Sequence, residues 1–126
     1  MKKIISFLIF ISFISFSNAS EIIVGNIGLA IGNITNQKGE VLKAGDKIYF
    51  GDIIKAEDQS KSQILLLDQT VITIGEKTTV TLDEFVYDPN SQEGKITTNI
   101  IEGSVKVLSG KISEKNPDNL IVKTPA

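Results

Sequence analysis

The stretch AGDKIYFGDII, residues 44–54, contains the pair Gly-Asp twice, at 45–46 and at 51–52. Glycine adopts positive φ angles without steric cost, and aspartate accepts hydrogen bonds from nearby backbone N–H groups, so Gly-Asp suits a corner between short strands. In an extended chain Ile48 and Phe50 share one face, which we expect to point into the core. The stretch therefore predicts short strands joined by tight corners at Gly45, Asp46, Gly51 and Asp52.

A metal site is the alternative interpretation of these two carboxylates. A calcium loop brings several oxygen ligands together at alternating positions. Asp46 and Asp52 are instead separated by five mostly apolar residues, and no acidic residue lies between them. A hexapeptide β-helix also repeats every six residues, but two copies are too few to establish one. The pattern favours corners, and we predict no metal and no cofactor.

Runs of Ile, Val and Thr, interrupted by Gly, Asp, Asn and Pro, continue along the chain and predict an all-β domain of short strands in sandwich-like sheets. In Ile64–Leu67 four apolar residues are consecutive, so we expect both faces of that strand to be covered. The segments 88–94 and 113–119 are polar and predict loops. The predicted strands are Ile22–Thr35, Val41–Leu42, Lys47–Phe50, Ile53–Ala56, Ser62–Leu67, Val71–Ile74, Thr79–Asp83, Lys95–Ile101, Ser104–Leu108 and Leu120–Lys123.

The N-terminus has the three-part layout of a secretory signal peptide. Lys2 and Lys3 precede an apolar run, Ile4–Phe16, and the small residues Ser17 and Ala19 mark a cleavage site. The run is shorter than the roughly 20 residues of a membrane-spanning helix. An uncleaved N-terminal anchor is the alternative. We expect residues 1–19 to be removed, leaving no stable membrane span and one exported domain, residues 20–126.

The composition limits the chemistry that this domain can perform. The chain has no His, Cys, Trp or Arg, which removes the commonest general base, the thiol nucleophile and any Ser-His-Asp arrangement. Its acidic residues outnumber its lysines, so it offers no electrostatic footprint for nucleic acid. The sequence predicts a protein that is not an enzyme and does not bind nucleic acid.

Two catalytic alternatives deserve comparison with that prediction. The segment ILLLDQT, which ends in Asp68 and Thr70, is similar to the small dimeric aspartic proteases, in which two chains share one proton between two carboxylates. There Thr or Ser follows the Asp directly and Gly comes next, whereas here Gln69 follows Asp68 and no Gly comes after it. The other catalytic alternative is a Ser/Lys pair, formed by Ser60 with Lys61 or Lys55. A hairpin turn capped by Asp68 explains the segment better.

Exposed aromatic residues would be the natural surface for stacking on sugars. After the signal peptide the chain has only Tyr49, Phe50, Phe85 and Tyr87. Phe85-Val86-Tyr87 could form a small contact patch next to the 88–94 loop. Packing at the core or its rim is the alternative, which we favour.

The segment Leu42–Leu82 resembles the FecR domain. The shared pattern is a Gly-Asp-x-Ile pair, a Ser before an apolar strand, then Asp-x-Thr and an Ile-Gly turn, carried here by the two Gly-Asp pairs, Ser60, Asp68, Thr70 and Ile74-Gly75. Downstream, IIEGSVKVLSG (100–110) and VKTPA (122–126) resemble the Gly-x-Val-x-Val strand and the Thr-Pro segment of that family.

The resemblance implies an exported β domain with twisted, solenoid-like sheets and no catalytic residues. In some members this domain is the periplasmic half of a regulator that relays an outer-membrane transport signal to a membrane-bound sigma-factor control segment. From this sequence we expect no N-terminal cytoplasmic segment and no internal transmembrane helix. The resemblance is therefore to free-standing periplasmic FecR-domain proteins.

The C-terminus departs from the family pattern, in which an apolar strand follows the Thr-Pro segment. Because the sequence ends at Ala126, we expect either a truncated product or a strand supplied by a partner, including exchange between two copies of this chain. An unfilled position leaves open N–H and C=O groups on a neighbouring strand.

The function predicted from these observations is signalling or protein binding in the periplasm, with another envelope protein as the partner. The competing hypothesis is a module that binds a carbohydrate or another envelope ligand, or a structural piece of an adhesin.

Overall fold

Alternating apolar and polar residues form ten strands between residues 21 and 125, the part of the chain that the computed structural model describes. The predicted signal peptide lies outside these residues. The strands are β1 (Ile23–Ile31), β2 (Ile34–Thr35), β3 (Lys47–Tyr49), β4 (Ile53–Ala56), β5 (Lys61–Leu66), β6 (Val71–Ile74), β7 (Thr78–Asp88), β8 (Glu93–Glu102), β9 (Val105–Leu108) and β10 (Leu120–Lys123).

The strands form two five-stranded sheets, so the prediction of an all-β domain is confirmed. One sheet has the order β3-β1-β5-β6-β9 and the other has the order β10-β8-β7-β4-β2. Neighbouring strands are antiparallel except β10, which runs parallel to β8. Each sheet therefore has two edge strands, β3 and β9 in the first and β2 and β10 in the second.

The core lies between the sheets and consists of the inward-facing residue of every second strand position. Ile64 and Leu66 of β5 and Ile72 and Ile74 of β6 are buried, as are the side chains of the opposite sheet, Ile54, Val80 and Ile96. Burying one such side chain contributes about 1.5–3 kcal/mol. With no cysteine in the chain, aliphatic packing carries the stability.

Two expectations about burial are wrong. Leu67 is 55% exposed, because β5 ends at Leu66 and the chain turns there into the hairpin with β6. Phe50 is 46% exposed although Ile48 is buried, because β3 ends at Tyr49 and the alternation of faces ends with the strand. A local pattern shows which residues alternate but not where a strand stops.

The prediction of a polar loop at 113–119 is also wrong. A short helix, α1 (Lys111–Lys115), extends into the segment and is followed by a turn of 3₁₀-helix, Pro117–Asn119. Ile112 anchors α1 in the core, and the Asn116 side chain accepts a hydrogen bond from the Asp118 N–H at the start of the second turn. A single buried isoleucine in a polar segment gave no periodic signal.

The four edge strands lie at two opposite flanks of the sandwich. Gln37, just after β2, donates a hydrogen bond to Asp52, just after β3, so these two edges are neighbours. Since the strand order then runs away from this flank in both sheets, β9 and β10 lie at the other one. We call the side with β2 and β3 the first flank and the side with β9 and β10 the second flank.

Candidate functional site

The first Gly-Asp pair forms a tight corner that is attached to β1. Gly45 has φ +94° and donates its N–H to the Ile27 carbonyl at 2.7 Å. Asp46 accepts the Lys43 N–H on Oδ2 at 2.8 Å and donates its own N–H to the Lys43 carbonyl at 3.0 Å. The carboxylate therefore serves the backbone of its own turn.

The second pair forms the corner between β3 and β4. Gly51 has φ +86°, and Asp52 accepts the Tyr49 N–H on Oδ2 at 2.9 Å and the Gln37 Nε2 on Oδ1 at 2.8 Å. The Gln37 side chain in turn accepts the Ile53 N–H at 2.9 Å. Asp52 thus links the corner to the end of β2 through one glutamine, which the sequence analysis did not single out.

Asp52 also blocks the free edge of β3 at its last residue, Tyr49. The Phe50 N–H donates to the Ile22 carbonyl, so the alternation of an antiparallel ladder turns the main-chain groups of Tyr49 away from β1. Both of these groups are used, since the Tyr49 N–H bonds the Asp52 carboxylate and the Tyr49 carbonyl accepts the Asp52 N–H at 3.0 Å. No pairing position remains at Tyr49.

The carboxylates of Asp46 and Asp52 bind separate turns and share no hydrogen-bond partner. Between residues 21 and 125 no group of three or more His, Cys, Asp or Glu side chains is placed to hold a metal ion. The arrangement of the two Gly-Asp pairs is that of two sheet corners.

Asp68 is the most deeply buried charged side chain of the described region, at 0% exposure. Its Oδ1 accepts the Thr70 N–H at 3.0 Å, and its Oδ2 accepts both the Thr70 hydroxyl at 2.8 Å and the Ile112 N–H at 3.1 Å. The Asp68 carbonyl accepts the Lys111 N–H at 2.7 Å. Asp68 therefore holds both the β5–β6 hairpin and the first turn of α1.

Gly110 fits tightly against that hairpin. A Cβ atom at this position would overlap the Thr70 N–H group and lie 2.5 Å from the Asp68 carbonyl oxygen. Only glycine allows this approach. Because both oxygens of Asp68 are occupied and the residue is fully buried, its carboxylate is not accessible to a substrate.

The remaining residues of the FecR-like pattern also lie where one sheet passes to the other. Ser60 accepts the Asn33 N–H at 2.8 Å and donates to the Asp58 carbonyl at 3.1 Å. Gly75 donates its N–H to the Ser104 carbonyl at 3.2 Å. Thr78, which the sequence analysis did not single out, accepts the Ser104 N–H at 3.1 Å. No local signal marks that bond, because its partners are 26 residues apart.

A groove of about 690 Å³ lies at the first flank and contains the exposed side chains of Phe50 and Val41. Its two amide side chains, Asn36 and Gln37, already bond groups of the protein itself. Asn36 accepts the N–H groups of Lys38 and Glu40 and donates to the Glu40 carboxylate, while Gln37 bonds Asp52 and Ile53. These side chains therefore have few groups left to recognise sugar hydroxyls.

The aromatic segment after the middle of β7 is mostly packed. Phe85 and Tyr87 lie partly buried against the core, and Val86 between them is 61% exposed. Val86 is the most exposed of the three residues, so the segment forms the rim of the core and not an aromatic surface.

At the second flank the edge of β9 has no such cover. The Gly75–Ser104 bond fixes the phase of the β6–β9 ladder, in which Lys106 and Leu108 face β6 with their main-chain groups. The groups of Val105 and Val107 therefore point away from the sheet. Among residues 21–125 they have no hydrogen-bond partner in another element.

The side chains at this edge alternate as well. Val105 and Val107 point inward and are partly buried at the end of the core, whereas Ile72 and Ile74 opposite them on β6 are fully covered. Lys106 and Leu108 are exposed on the outer face, and no ion pair within the described residues includes Lys106. The second flank thus presents main-chain groups, a partly covered core and a positive charge together.

No family model, no curated protein and no solved structure matches this chain. In the part of the chain that the structure describes, no helix is long and apolar enough to cross a membrane.

Proposed function

We propose that this chain is a non-enzymatic FecR-like domain of the periplasm, released from its signal peptide, that binds another envelope protein through the second flank. The observation that supports this function is the unpaired edge of β9. Main-chain groups of an exposed edge strand are a template for pairing with another chain, and proteins cover or block such edges when pairing has no use. At the first flank this chain blocks the edge of β3 with Asp52. At the second flank it does not.

The bonds of Asp68 and Ser60, the residues of the two catalytic alternatives, support a binding role over an enzymatic one. The deeply buried Asp68 is occupied by Thr70 and Ile112. Ser60 is buried and bonded to backbone groups of two neighbouring turns. Both of the catalytic alternatives in the sequence thus involve residues that maintain corners of the fold.

The export part of this function is tested by processing. The full chain, with a C-terminal epitope, is produced in its native cells and fractionated, and the mass of the epitope-bearing protein is measured. We expect periplasmic protein that begins at Ser20. Protein that stays in the cytoplasm with residues 1–19 attached would overturn the localisation.

The binding part is tested with a photo-crosslinking amino acid at one of two exposed positions. Leu108 lies on β9 at 53% exposure, and Val41 lies at the first flank at 57% exposure, so the two positions are matched. We expect irradiation of living cells to give a discrete protein adduct from position 108 and none from position 41. Absence of an adduct from both positions, or equal adducts from both, would count against a binding surface at the second flank.

A further inference from the structure

The edge of β9 has free main-chain groups at the spacing that an added β-strand requires. Val105 and Val107 are two residues apart and both direct an N–H and a C=O group away from β6. This spacing matches one side of an added β-strand, which uses the main-chain groups of every second residue. An extended segment can therefore join the sheet here without any rearrangement of β6 or β9.

The side chains of the edge define what the inward face of such a segment must be. Val105 and Val107 occupy the last position of the core in their sheet and are only partly covered. In the opposite sheet the edge residue Val122 of β10 is also partly exposed, at 38%. Small apolar residues on an added strand would fill the space next to these valines and extend the core by one strand.

Lys106 determines which residue fits on the outward face of the added strand. It makes the β9 strand of a second copy of this chain a poor fit. In an antiparallel pairing of two β9 strands that uses both Val105 and Val107, each Lys106 would lie directly opposite the other Lys106. Like charges directly opposite each other destabilise a strand pair, and opposite charges stabilise it. An acidic residue at this position of the added strand fits the edge, and lysine does not.

We propose that β9 accepts, by strand addition, an extended segment of a partner protein in which Asp or Glu is flanked by two small apolar residues. This proposal rests on the protein-binding function proposed above and gives the chemistry of the partner. The apolar residues contact Val105 and Val107, and the carboxylate lies beside Lys106.

The test uses the mature protein and two fluorescein-labelled peptides, Ser-Thr-Val-Glu-Val-Thr-Ser and the same sequence with Lys in place of Glu. Binding is followed by fluorescence anisotropy. Since a cross-strand charge pair contributes up to about 1 kcal/mol, we expect the Glu peptide to bind roughly fivefold more tightly or better. Because the pair is exposed, the preference should decrease as salt screens it.

Two variants locate the binding to β9. Val107→Pro removes the outward N–H, which the β6 ladder does not use, so the strand should keep its place while peptide binding is lost. Lys106→Glu should reverse the preference between the two peptides. Lys61→Glu makes the same charge change on the outer face of β5, away from β9, and should leave the preference unchanged.

Strand addition is overturned if the folded Val107→Pro variant binds the Glu peptide like the parent, or if Lys106→Glu does not reverse the preference. It is also overturned if neither peptide binds while position 108 still forms its adduct in cells, a result that leaves the proposed function intact. Dimerisation abolished by Val107→Pro would identify a second copy as the occupant and overturn the acidic partner. If peptides fail and adducts are absent as well, both proposals fall.

Discussion

The edge strands β3 and β9 belong to the same sheet, yet β3 is blocked at its end and β9 is open. At the end of β3 the outward main-chain groups belong to Tyr49, and Asp52, three residues later, bonds both of them. On β9 the corresponding groups belong to Val107, and the residue three positions later is Gly110. Gly110 has no side chain to offer, and it cannot have one, because it packs directly on Thr70.

The difference shows how closely the closing of an edge depends on a single side chain. The sequence that follows β9 is committed to docking α1 on the β5–β6 hairpin, so it cannot also turn back and cover β9. The sequence that follows β3 has no such task and folds over its own strand. The docking of α1 on the hairpin therefore both packs the chain after β9 and leaves the edge of β9 available for pairing.

The largest effect on stability should come from breaking the bonds of Asp68 that attach α1 to the β5–β6 hairpin. Asp68→Ala leaves the Thr70 N–H, the Thr70 hydroxyl and the Ile112 N–H without an acceptor in a fully buried site. Each unsatisfied buried group costs roughly 1–3 kcal/mol, so we expect a loss of about 3–5 kcal/mol in the free energy of unfolding. Urea denaturation measures it.

The matched change Asp68→Asn keeps the shape and two acceptor sites of the side chain but places an NH₂ group near donors. It should lie between the parent and Asp68→Ala. Equal stability of all three proteins would show that Asp68 does not hold α1 on the hairpin.

The next effect concerns the closed edge. Asp52→Ala removes the acceptor of the Tyr49 N–H and of the Gln37 side chain, which should lower the free energy of unfolding by about 2 kcal/mol. It should also expose the main-chain groups of β3 and cause concentration-dependent association, seen by sedimentation velocity.

Asp46→Ala is the control for this change, because Asp46 is exposed and bonds one N–H in its own turn without covering an edge. It should cost stability without causing association. If both variants associated to the same degree, Asp52 would not be the residue that protects the edge of β3 from pairing.

A smaller difference can be measured without any mutation. On β9 the amides of Lys106 and Leu108 face β6, while those of Val105 and Val107 face solvent. Since a hydrogen bond contributes roughly 1 kcal/mol and 1.4 kcal/mol corresponds to a factor of ten, amide exchange at 106 and 108 should be about fivefold slower or more than at 105 and 107. On β3 the outward amide of Tyr49 should be protected. Uniform exchange along β9 would contradict the phase of its ladder.

The smallest effect should come from Gln69→Gly in the β5–β6 hairpin. Gln69 has φ +74°, a conformation that residues with a side chain rarely adopt. Glycine removes this strain but increases the freedom of the unfolded chain, so we expect a gain of at most about 1 kcal/mol. Thermal unfolding measures it, and the second flank should stay open. A loss of stability would mean that the Gln69 side chain has a stabilising role of its own.

The local elements of this fold could be predicted and the contacts between them could not. The bounds of β4, β6 and β10 agree with the predicted runs, because alternation and turn residues are properties of neighbouring positions. Helix α1 was missed because its first turn depends on Asp68, which is 44 residues from Ile112. Asp68 was predicted to cap a hairpin, but no feature of the neighbouring sequence indicates that it also accepts the Ile112 N–H.

The same limit applies to the two edges. Turn chemistry was enough to predict corners at Gly51 and Asp52, but the closing of β3 depends on which side of that strand faces β1. In the structure β9 is an open edge because it is the last strand of its sheet, after β6. The sequence of β9 itself does not indicate this position.

The bond between Asp68 and Ile112 also affects the order of events when the chain folds. A helix of five residues does not persist alone in water, so α1 forms only once the β5–β6 hairpin is there to receive it. Contacts between distant positions form late because loop closure must come first. Substitutions of Ile112, whose buried side chain anchors α1, should therefore speed unfolding and leave the folding rate nearly unchanged. The last stretch of the chain would then dock on a sandwich that is already assembled.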